Sequence, residues 1–370
     1  MSVTLRSQMP ALTRAWLPDF FDRPAPPEKR ATCDSCAMCA RPDSPTSSAA
    51  RGIPATYFRP EVKCCSYHPT LPNYLVGAAL RDSSPDFARG RERLRKKIAA
   101  RVGVTCTWLA APRKYLVLYE AARDSSFGRS ESLLCPYFDR EASNCSIWPY
   151  RESVCATFFC KYEAGAAGQL FWRAWKRYLS HVEVSLARYA ATAVRGTPPP
   201  ADLPRTQLTQ EDLEDKPPTD ADYTSYWRPW VGREEPFYIE CASVVESLQV
   251  AERERVIDDA GGRELLAEAV KRYDAAMTPE LAPFLTLNPG LHPTKVTGDN
   301  PGAFVTPYSG YDPLFLTQDL YDALGQFTAT EPVKQTLERL AHDHDTELPE
   351  ALLLEMQLHA VMVPPEPTTG

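Results

Sequence analysis

The sequence has no long apolar run, little glycine and few histidines: 17 Gly and 6 His in 370 residues. No apolar stretch approaches the ~20 residues that span a bilayer, so we expect no membrane contact. The opening "MSVTLRSQMPALTRAWLPDFF" is interrupted by Arg6, Pro10 and Arg14. It therefore lacks the continuous apolar core of a signal peptide, and we expect a cytoplasmic protein.

An excess of positive charge is also missing. The formal net charge is −7 and the pI about 5.5, which argues against a nucleic-acid binder that works through its overall field. P-loop, Rossmann and zincin fingerprints do not occur. The three-residue and two-residue cysteine gaps of radical S-adenosylmethionine enzymes do not occur either. We also find no convincing nucleophile–base pair or carboxylate dyad, so residue patterns alone leave enzyme activity uncertain.

The composition is that of a globular protein, with 44% hydrophobic and 10% aromatic residues. Helical patterns dominate, and the predicted fold is mainly α with small β elements. One long amphipathic helix is expected from apolar residues at three- and four-residue spacing, ending at Gly196. These apolar residues are Phe171, Trp175, Tyr178, Val182, Leu186 and Tyr189.

The length of 370 residues suggests two or three units. The predicted organisation is an N-terminal extension (1–30), a metal-stapled, cysteine-rich helical domain (31–195), a Pro-rich acidic linker (196–222), a helical region (223–300) and a winged-helix-like module (301–370).

The C-terminal module is predicted from three short helices and a terminal strand. Thr317, Thr330 and Thr346 stand where helix N-caps belong. The candidate recognition helix carries Glu347, Glu350 and Glu355 without Lys or Arg, so phosphates would repel it. We therefore expect a protein or peptide partner and no nucleic acid.

A basic stretch, "FARGRERLRKKIAAR" at 87–101, has two readings. It could dock an acidic partner or substrate. A solvated helix face is the favoured interpretation, because charge runs of this kind usually face water.

Cysteine is concentrated in the first half: ten of the 11 lie between Cys33 and Cys160. Cytosolic thiols are kept reduced, so a disulfide framework is not expected. Crowded free thiols are an oxidation hazard unless they are occupied. Cys106 and Cys241, each alone in an apolar run, are predicted to be buried apolar residues. The remaining nine are the candidate metal ligands: Cys33, Cys36, Cys39, Cys64, Cys65, Cys135, Cys145, Cys155 and Cys160.

The first three candidates have the spacing Cys33-x2-Cys36-x2-Cys39, which zinc knuckles and iron–sulfur loops both use. In a bacterial ferredoxin run a fourth cysteine would stand at the position of Asp43. Further ligands must therefore come from elsewhere. The stretch "KCCSYHP" offers a cysteine doublet, with His68 as a weaker candidate.

The later cysteines lie in "CPYF" at Cys135, "CSIW" at Cys145, "YRESVC" ending at Cys155 and "FFCK" at Cys160. This part resembles the YkgJ-type cysteine-cluster proteins, described as zinc- or iron-chelating, whose signature begins CxxCxxCC. The resemblance covers roughly residues 30 to 190. It departs in the first half, where 24 residues separate Cys39 from Cys64.

This resemblance implies a chelated metal or an iron–sulfur cluster. All-thiolate ligation suits zinc and [4Fe–4S] alike, and the aromatic neighbours Tyr137, Phe138, Trp148, Phe158 and Phe159 slightly favour the cluster as a dry shell. Nine candidates exceed the four that one site needs, so two sites, or one site with spare cysteines, remain open.

The expected function is that of an accessory or redox/binding protein with a partner-binding C-terminal module. The alternative is a cluster-dependent protein-modifying enzyme. The resemblance extends to the cluster of flagellin lysine N-methylases, so it implies a methyltransferase, or an iron–sulfur oxidoreductase, as the enzyme class.

Overall fold

The structure is a computed structural model that describes residues 4–14, 16–26, 36, 38–39, 58–200, 208–259 and 261–366. Cys33 lies outside the described residues. None of the described helices is long and apolar enough to cross a membrane.

The described helices are mostly short, and one is long. They are α1 (Leu5–Gln8), α2 (Ala11–Arg14), α3 (Asn73–Arg81), α4 (Ala88–Ala99), α5 (Arg113–Ser126), α6 (Ser153–Thr157), α7 (Gly165–Arg195), α8 (Gln210–Leu213), α9 (Asp220–Trp227), α10 (Glu234–Ser247), α11 (Val250–Asp258), α12 (Gly262–Met277), α13 (Gln318–Leu324), α14 (Val333–His344) and α15 (Glu350–Leu358). Four 3₁₀ turns accompany them: Asp19–Asp22, Pro85–Phe87, Glu131–Leu133 and Trp148–Tyr150.

The described strands are two to four residues long: β1 (Leu71–Pro72), β2 (Trp108–Leu109), β3 (Phe138–Asp139), β4 (Asn144–Cys145), β5 (Thr286–Leu287), β6 (Thr294–Val296), β7 (Gly302–Val305), β8 (Leu314–Thr317) and β9 (Met362–Val363). They form the antiparallel pairs β1–β2, β3–β4 and β5–β9 and one antiparallel sheet, β6–β7–β8. The prediction of a mainly α protein with small β elements is confirmed.

The long helix α7 is the centre of the main hydrophobic core. Its apolar stripe is buried as predicted, from Phe171 and Trp175 through Leu186. Tyr189 is the exception at 38% exposure, because the buried row continues through Ala190 instead. Gly196 ends the helix in a left-handed conformation (φ 74°), as a C-cap glycine does. Helices α3, α6, α10, α11 and α12 pack around α7 or around its neighbours.

Buried Asn73 ties this core together through three hydrogen bonds. Its side-chain amide donates to the carbonyl oxygens of Cys106 and Ala187, each at 2.9 Å. Its Oδ1 accepts the backbone N–H of Tyr74 at 2.6 Å. Because every polar atom of the amide has a partner, this polar side chain can be buried at little cost.

A second core lies in the C-terminal region. Its buried residues run from Leu285 to Met362 and come from α13, α14, α15 and the nearby strands. In the sheet, Ala303 pairs with Lys295 on one side and with Leu316 on the other. This core therefore includes residues before 301, the predicted start of the module. The domain boundaries themselves stay predictions.

Two of the three predicted N-caps were wrong. Thr317 caps α13 by accepting the N–H of Leu320. Helices α14 and α15 instead begin after Pro332 and Pro349. A residue before proline is pushed into extended conformation, so Thr330 and Thr346 stand too early to start a helix.

The predicted linker holds more regular structure than its composition suggests. Helix α8 has a capping box in which Thr209 and Asp212 bond each other's backbone. The Asp212 carboxylate also accepts a hydrogen bond from the guanidinium of Arg113 in α5, at 2.8 Å. The described part of the linker therefore packs against the cysteine-rich half of the chain.

We predict that Gly77→Ala destabilises the protein by about 1–3 kcal/mol or more, since a methyl group there would collide with the backbone carbonyl of Tyr238, where α3 crosses α10. Thermal unfolding followed by circular dichroism measures the effect. Gly310→Ala is the control, because among the described residues no atom beyond its two chain neighbours lies within 4 Å of the added methyl group. Equal melting temperatures for the two variants would contradict the close helix crossing.

Candidate metal centre

The candidate ligands come from four stretches of chain. Cys64 and Cys65 lie in a turn before β1, Cys135 lies in the turn before β3, and Cys145 is the last residue of β4. Cys155 lies in α6, and Cys160 follows that helix. Cys36 and Cys39 lie in the fourth stretch, where Cys39 forms a parallel bridge with Phe58.

A cavity of about 120 Å³ lies where these stretches meet. Since a single water needs about 10–15 Å³, there is room for a group of several atoms. Seven cysteines line the cavity: Cys36, Cys64, Cys65, Cys135, Cys145, Cys155 and Cys160. Cys39 lies beside it, packed in the same small apolar cluster as Cys36 and Cys160. The structure thus brings together eight of the nine predicted ligands, and the ninth, Cys33, lies outside the described residues.

The excluded cysteines lie elsewhere. Cys106 and Cys241 are fully buried in the main core. The Cys106 sulfur is 3.2 Å from the Tyr226 hydroxyl. The prediction that these two are buried core residues is confirmed.

Backbone hydrogen bonds fix the doublet against the later cysteines. The N–H of Cys135 donates to the carbonyl of Cys65 at 2.6 Å. The hydroxyl of Ser66, the residue after Cys65, accepts a hydrogen bond from the N–H of Gly128 at 2.7 Å. Gly128 has φ +73° and sits against the Phe58 ring, so a side chain there would be strained as well as crowded.

The basic helix α4 clamps the hairpin that carries Cys145. Arg93 donates to the carbonyls of Pro136 and Phe138 at 2.7 and 2.6 Å. Arg89 pairs with Asp139 and Glu141, each at 2.7 Å. Arg89 is 57% exposed, as expected for a solvated face, yet its charged end binds the chain itself. The arginines of this helix therefore have a structural role at the site.

Aromatic and apolar side chains form the rest of the wall. They are Phe58, Tyr67, Pro69, Tyr119, Phe127, Ile147, Trp148, Val154 and Phe158. Of the five aromatic residues predicted for a dry shell, Trp148 and Phe158 line the cavity. Phe159 instead packs against Trp172, with ring centroids 4.5 Å apart and the ring planes tilted by 53°. Tyr137 and Phe138 are buried but do not line the cavity.

Two cationic side chains, Lys63 and Arg151, also line the cavity. A hydrogen bond from the Cys39 thiol lowers the pKa of Cys36, and Lys63 lowers it further. Likewise a hydrogen bond from Cys65 lowers the pKa of Cys64, with a contribution from Arg151. Each pair thus has one sulfur that readily becomes a thiolate, the form that binds metal.

Burial keeps three of the other thiols in their neutral form. Burial raises the pKa of Cys135, Cys155 and Cys160 well above the usual range. A metal bound at these sulfurs would displace protons, so its affinity would increase with pH.

The described residues do not form a ready single-ion site. No three His, Cys, Asp or Glu side chains among them stand close enough together to hold one metal ion. His68 does not line the cavity, and burial lowers its pKa to about 3, so the ring is neutral. Its Nε2 atom has no hydrogen-bond partner among the described residues.

A buried carboxylate pair beside the cavity was missed from the sequence. Glu152 caps α6 by accepting the N–H groups of Val154 and Cys155 at 2.6 and 3.0 Å. Glu183 of α7 accepts the N–H and the hydroxyl of Ser153, both at 2.7 Å. Burial raises the pKa of both carboxyl groups. Both carboxyl groups are engaged by residues 153–155, so this pair is structural and leaves the expectation of no catalytic carboxylate dyad untested. The available signal for the buried pair was a glutamate on the apolar face of α7.

Comparison of the chain with protein-family models, with curated proteins and with solved structures gives no match. The similarity to YkgJ-type proteins rests on the cysteine motifs alone and stays a prediction.

We predict that Glu183→Gln stabilises the protein relative to wild type progressively as pH rises above the ordinary glutamate pKa of 4.5. Burial makes the folded chain keep a proton that the unfolded chain loses. The wild-type contribution is therefore complete below pH 4.5 and declines as pH rises toward the folded pKa. The amide does not titrate, so the difference between the two proteins should grow by up to about 1.4 kcal/mol per pH unit.

Urea unfolding at pH 5 and pH 8 measures this difference. Glu163→Gln, at an exposed position before α7, should show no such trend. A wild-type to Glu183→Gln difference that is the same at both pH values would contradict the buried, protonated carboxyl.

Proposed function

We propose that the protein binds metal through its cysteine cavity, with an iron–sulfur cluster as the favoured occupant and zinc as the second candidate. One observation carries the proposal: seven cysteines from separate stretches of chain line one cavity. Every described cysteine is free of disulfide bonds. Unpaired thiols rarely converge in this way without a ligand, since a cellular oxidant would readily convert neighbouring thiols to disulfides.

The number of donors and the character of the wall favour a cluster. Seven cysteines line the cavity, more than the four that one zinc ion takes. In a [4Fe–4S] cluster each thiolate binds a different iron. The apolar, aromatic wall would limit water at the sulfurs. A bound cluster of this kind supplies one-electron redox chemistry.

The protein's own groups suit such an occupant. Lys63 and Arg151 would offset the negative charge of bound thiolates. Backbone N–H groups and the arginines of α4 hold the cysteine-bearing turns in place before any metal arrives.

We assign the C-terminal region to partner binding and retain the winged-helix-like description as part of this proposal. Its acidic helix α15 favours a protein or peptide partner over a nucleic acid. The region also reaches the cavity wall: the Tyr311 ring packs on Phe58 at 5.5 Å and on Phe127 at 6.3 Å. A partner held there would lie close enough to the cysteines to influence them.

A cleft of about 540 Å³ favours the enzyme alternative, a cluster-dependent protein-modifying enzyme such as a lysine N-methylase. Its wall shares Cys145 and Trp148 with the cysteine cavity. A reactant in this cleft would therefore lie next to a metal ligand. Equilibrium dialysis with S-adenosylmethionine distinguishes the two functions, since specific binding would support the methylase and its absence the accessory or redox protein.

Metal content tests the main proposal. Protein purified without oxygen should contain iron with matching sulfide, and Cys145→Ala should lose much of it. Cys241→Ala should keep the wild-type content, because Cys241 is buried in the main core away from the cavity. Elemental analysis with a visible absorption spectrum measures both. Wild-type protein without iron or zinc would overturn metal binding, and equal metal in the two variants would overturn the ligand assignment.

We predict that Asp312→Asn loosens the contact between the C-terminal region and the cavity. Asp312 is 5% exposed, 3.5 Å from Lys161, and accepts the Tyr308 hydroxyl. Loss of the charge pair should cost about 1–3 kcal/mol and speed amide hydrogen exchange in residues 306–313. Asp299→Asn, an exposed loop change, is the control. Unchanged exchange in that segment would show that the ion pair does not hold it.

A further inference from the structure

The loop between β7 and β8 joins the C-terminal region to the cysteine cavity. Residues 306–313 connect the two strands, which contribute Val305 and Leu316 to the C-terminal core. Three side chains of this loop contact the other half of the chain instead: Tyr308, Tyr311 and Asp312. The loop is longer than the ~2–5 residues of most hairpin connections, and long connections often carry a function.

Tyr308 and Asp312 hold the chain directly after Cys160. The Tyr308 hydroxyl accepts the N–H of Tyr162 at 3.3 Å and donates to the Asp312 carboxylate. That carboxylate also lies 3.5 Å from the ammonium of Lys161. Because Lys161 and Tyr162 are the two residues that follow Cys160, the position of the Cys160 sulfur depends on the docked loop.

Tyr311 covers the cavity wall beside the same cysteine. Its ring packs edge-on against Phe58, with centroids 5.5 Å apart, and lies 6.3 Å from the Phe127 ring. Cys160, Phe58 and Phe127 belong to one small apolar cluster, and the half-buried Tyr311 packs against it. Cys160 itself is only 5% exposed. The Tyr311 ring therefore forms part of the cover that keeps this thiol from water.

A second contact of the C-terminal region falls on the same stretch of chain. Gly165, the first residue of α7, has φ +56°, and a side chain there would lie 2.7 Å from the Leu358 carbonyl and from His359. The end of α15 therefore packs directly on this glycine. The loop and α15 together hold residues 160–165, the stretch that joins the cavity to the central helix.

The docked loop can be released without unfolding the region that carries it. The C-terminal region has a hydrophobic core of its own, to which Tyr308, Tyr311 and Asp312 do not belong. Segments held by a few ring contacts and hydrogen bonds open more readily than the cores on either side of them. Docking of this loop is therefore an equilibrium that a small change in contacts can shift.

We infer that the β7–β8 loop is a positioning loop for Cys160. Docked, it holds and covers this sulfur at the cavity; undocked, it exposes the thiol and weakens the hold on the occupant of the cavity. A partner that binds the C-terminal region and draws the loop away would thereby open the cavity. Because such coupling is reciprocal, an occupant bound at Cys160 would stabilise the docked loop by the same factor. The statements about an occupant rest on the proposed function, whereas the positioning of Cys160 does not.

Alkylation of the metal-free full chain by iodoacetamide tests the loop without any occupant. Peptide mass spectrometry follows Cys160, and Cys241, which is fully buried in the main core, reports global unfolding. Tyr311→Ala should raise the alkylation rate of Cys160 about 10-fold, because two aromatic contacts are lost and access to a buried thiol follows local opening. Tyr311→Phe keeps the ring and is the matched control, with the wild-type rate expected.

A second variant separates positioning from cover and serves if Tyr311→Ala does not fold. Tyr308→Phe keeps the ring and removes only the hydroxyl that bonds Tyr162 and Asp312. Cys160 should again react faster than in the wild type, and amide hydrogen exchange should speed up in residues 160–162 and 306–313. Tyr321→Phe, which removes a hydroxyl from α13 beside the C-terminal core, is the control.

Metal-loaded protein gives the reciprocal measurement. Hydrogen exchange in residues 306–313 should be slower in the loaded wild type than in the metal-free chain. Tyr311→Ala should also lose metal to a chelator faster than Tyr311→Phe does. Equal exchange in the loaded and metal-free chains would overturn the coupling between loop and occupant.

The alkylation outcomes decide the positioning role. Equal Cys160 rates in Tyr311→Ala, Tyr311→Phe and wild type would overturn it. A rate increase shared equally by Cys160 and Cys241 would overturn it too, since that pattern means general unfolding. A wild-type chain that contains no metal would overturn the proposed function and leave the alkylation result standing, so the two failures are distinguishable.

Discussion

The backbone hydrogen bond between Cys135 and Cys65 is the contact on which the geometry of the cysteine site depends. It joins two turns that are 70 residues apart in the chain, and neither turn belongs to an element long enough to be rigid alone. Neighbouring groups form further hydrogen bonds around this contact. The Ser66 hydroxyl accepts the N–H of Gly128, and Arg93 donates to the carbonyl of Pro136, the residue after Cys135. Loss of the Cys135–Cys65 hydrogen bond would displace the cysteine sulfurs of both turns.

The rigidity that this bond needs comes from the main core. Helix α7 contributes a long stripe of aromatic residues to the main core. Helix α3 lies close to α10 because Gly77 has no side chain where the two helices cross. Helix α6 is fixed to α7 by the Ser153–Glu183 bonds, which place Cys155 at the cavity. The scaffold and the site are thus coupled through a few buried polar contacts in an otherwise apolar interior.

Much of the scaffold could be predicted from the sequence, because its signals are local. Helix α7 is recognisable from the 3.6-residue periodicity of one segment and from the glycine that ends it. The cysteine spacings are likewise visible within short stretches of sequence. Three features differ from the prediction or were missing from it. The starts of α14 and α15 lie later than predicted, because proline disfavours a helical conformation in the residue before it. The buried Glu152 and Glu183 looked ordinary, because their burial depends on segments 30 residues apart. No local signal showed that Tyr311, from the C-terminal region, packs on Phe58 and Phe127 at the cavity wall.

Tyr311 has a consequence for the order of events during synthesis. It covers Phe58 and Phe127 at the cavity wall, yet the ribosome adds it long after the last of the clustered cysteines, Cys160. A nascent chain that has emerged through α12 has the helices of the main core but lacks Tyr311, so this side of the cavity is uncovered. If the cavity binds metal as proposed, this interval would give a metal donor its widest access, and the later packing of Tyr311 on the wall would end it.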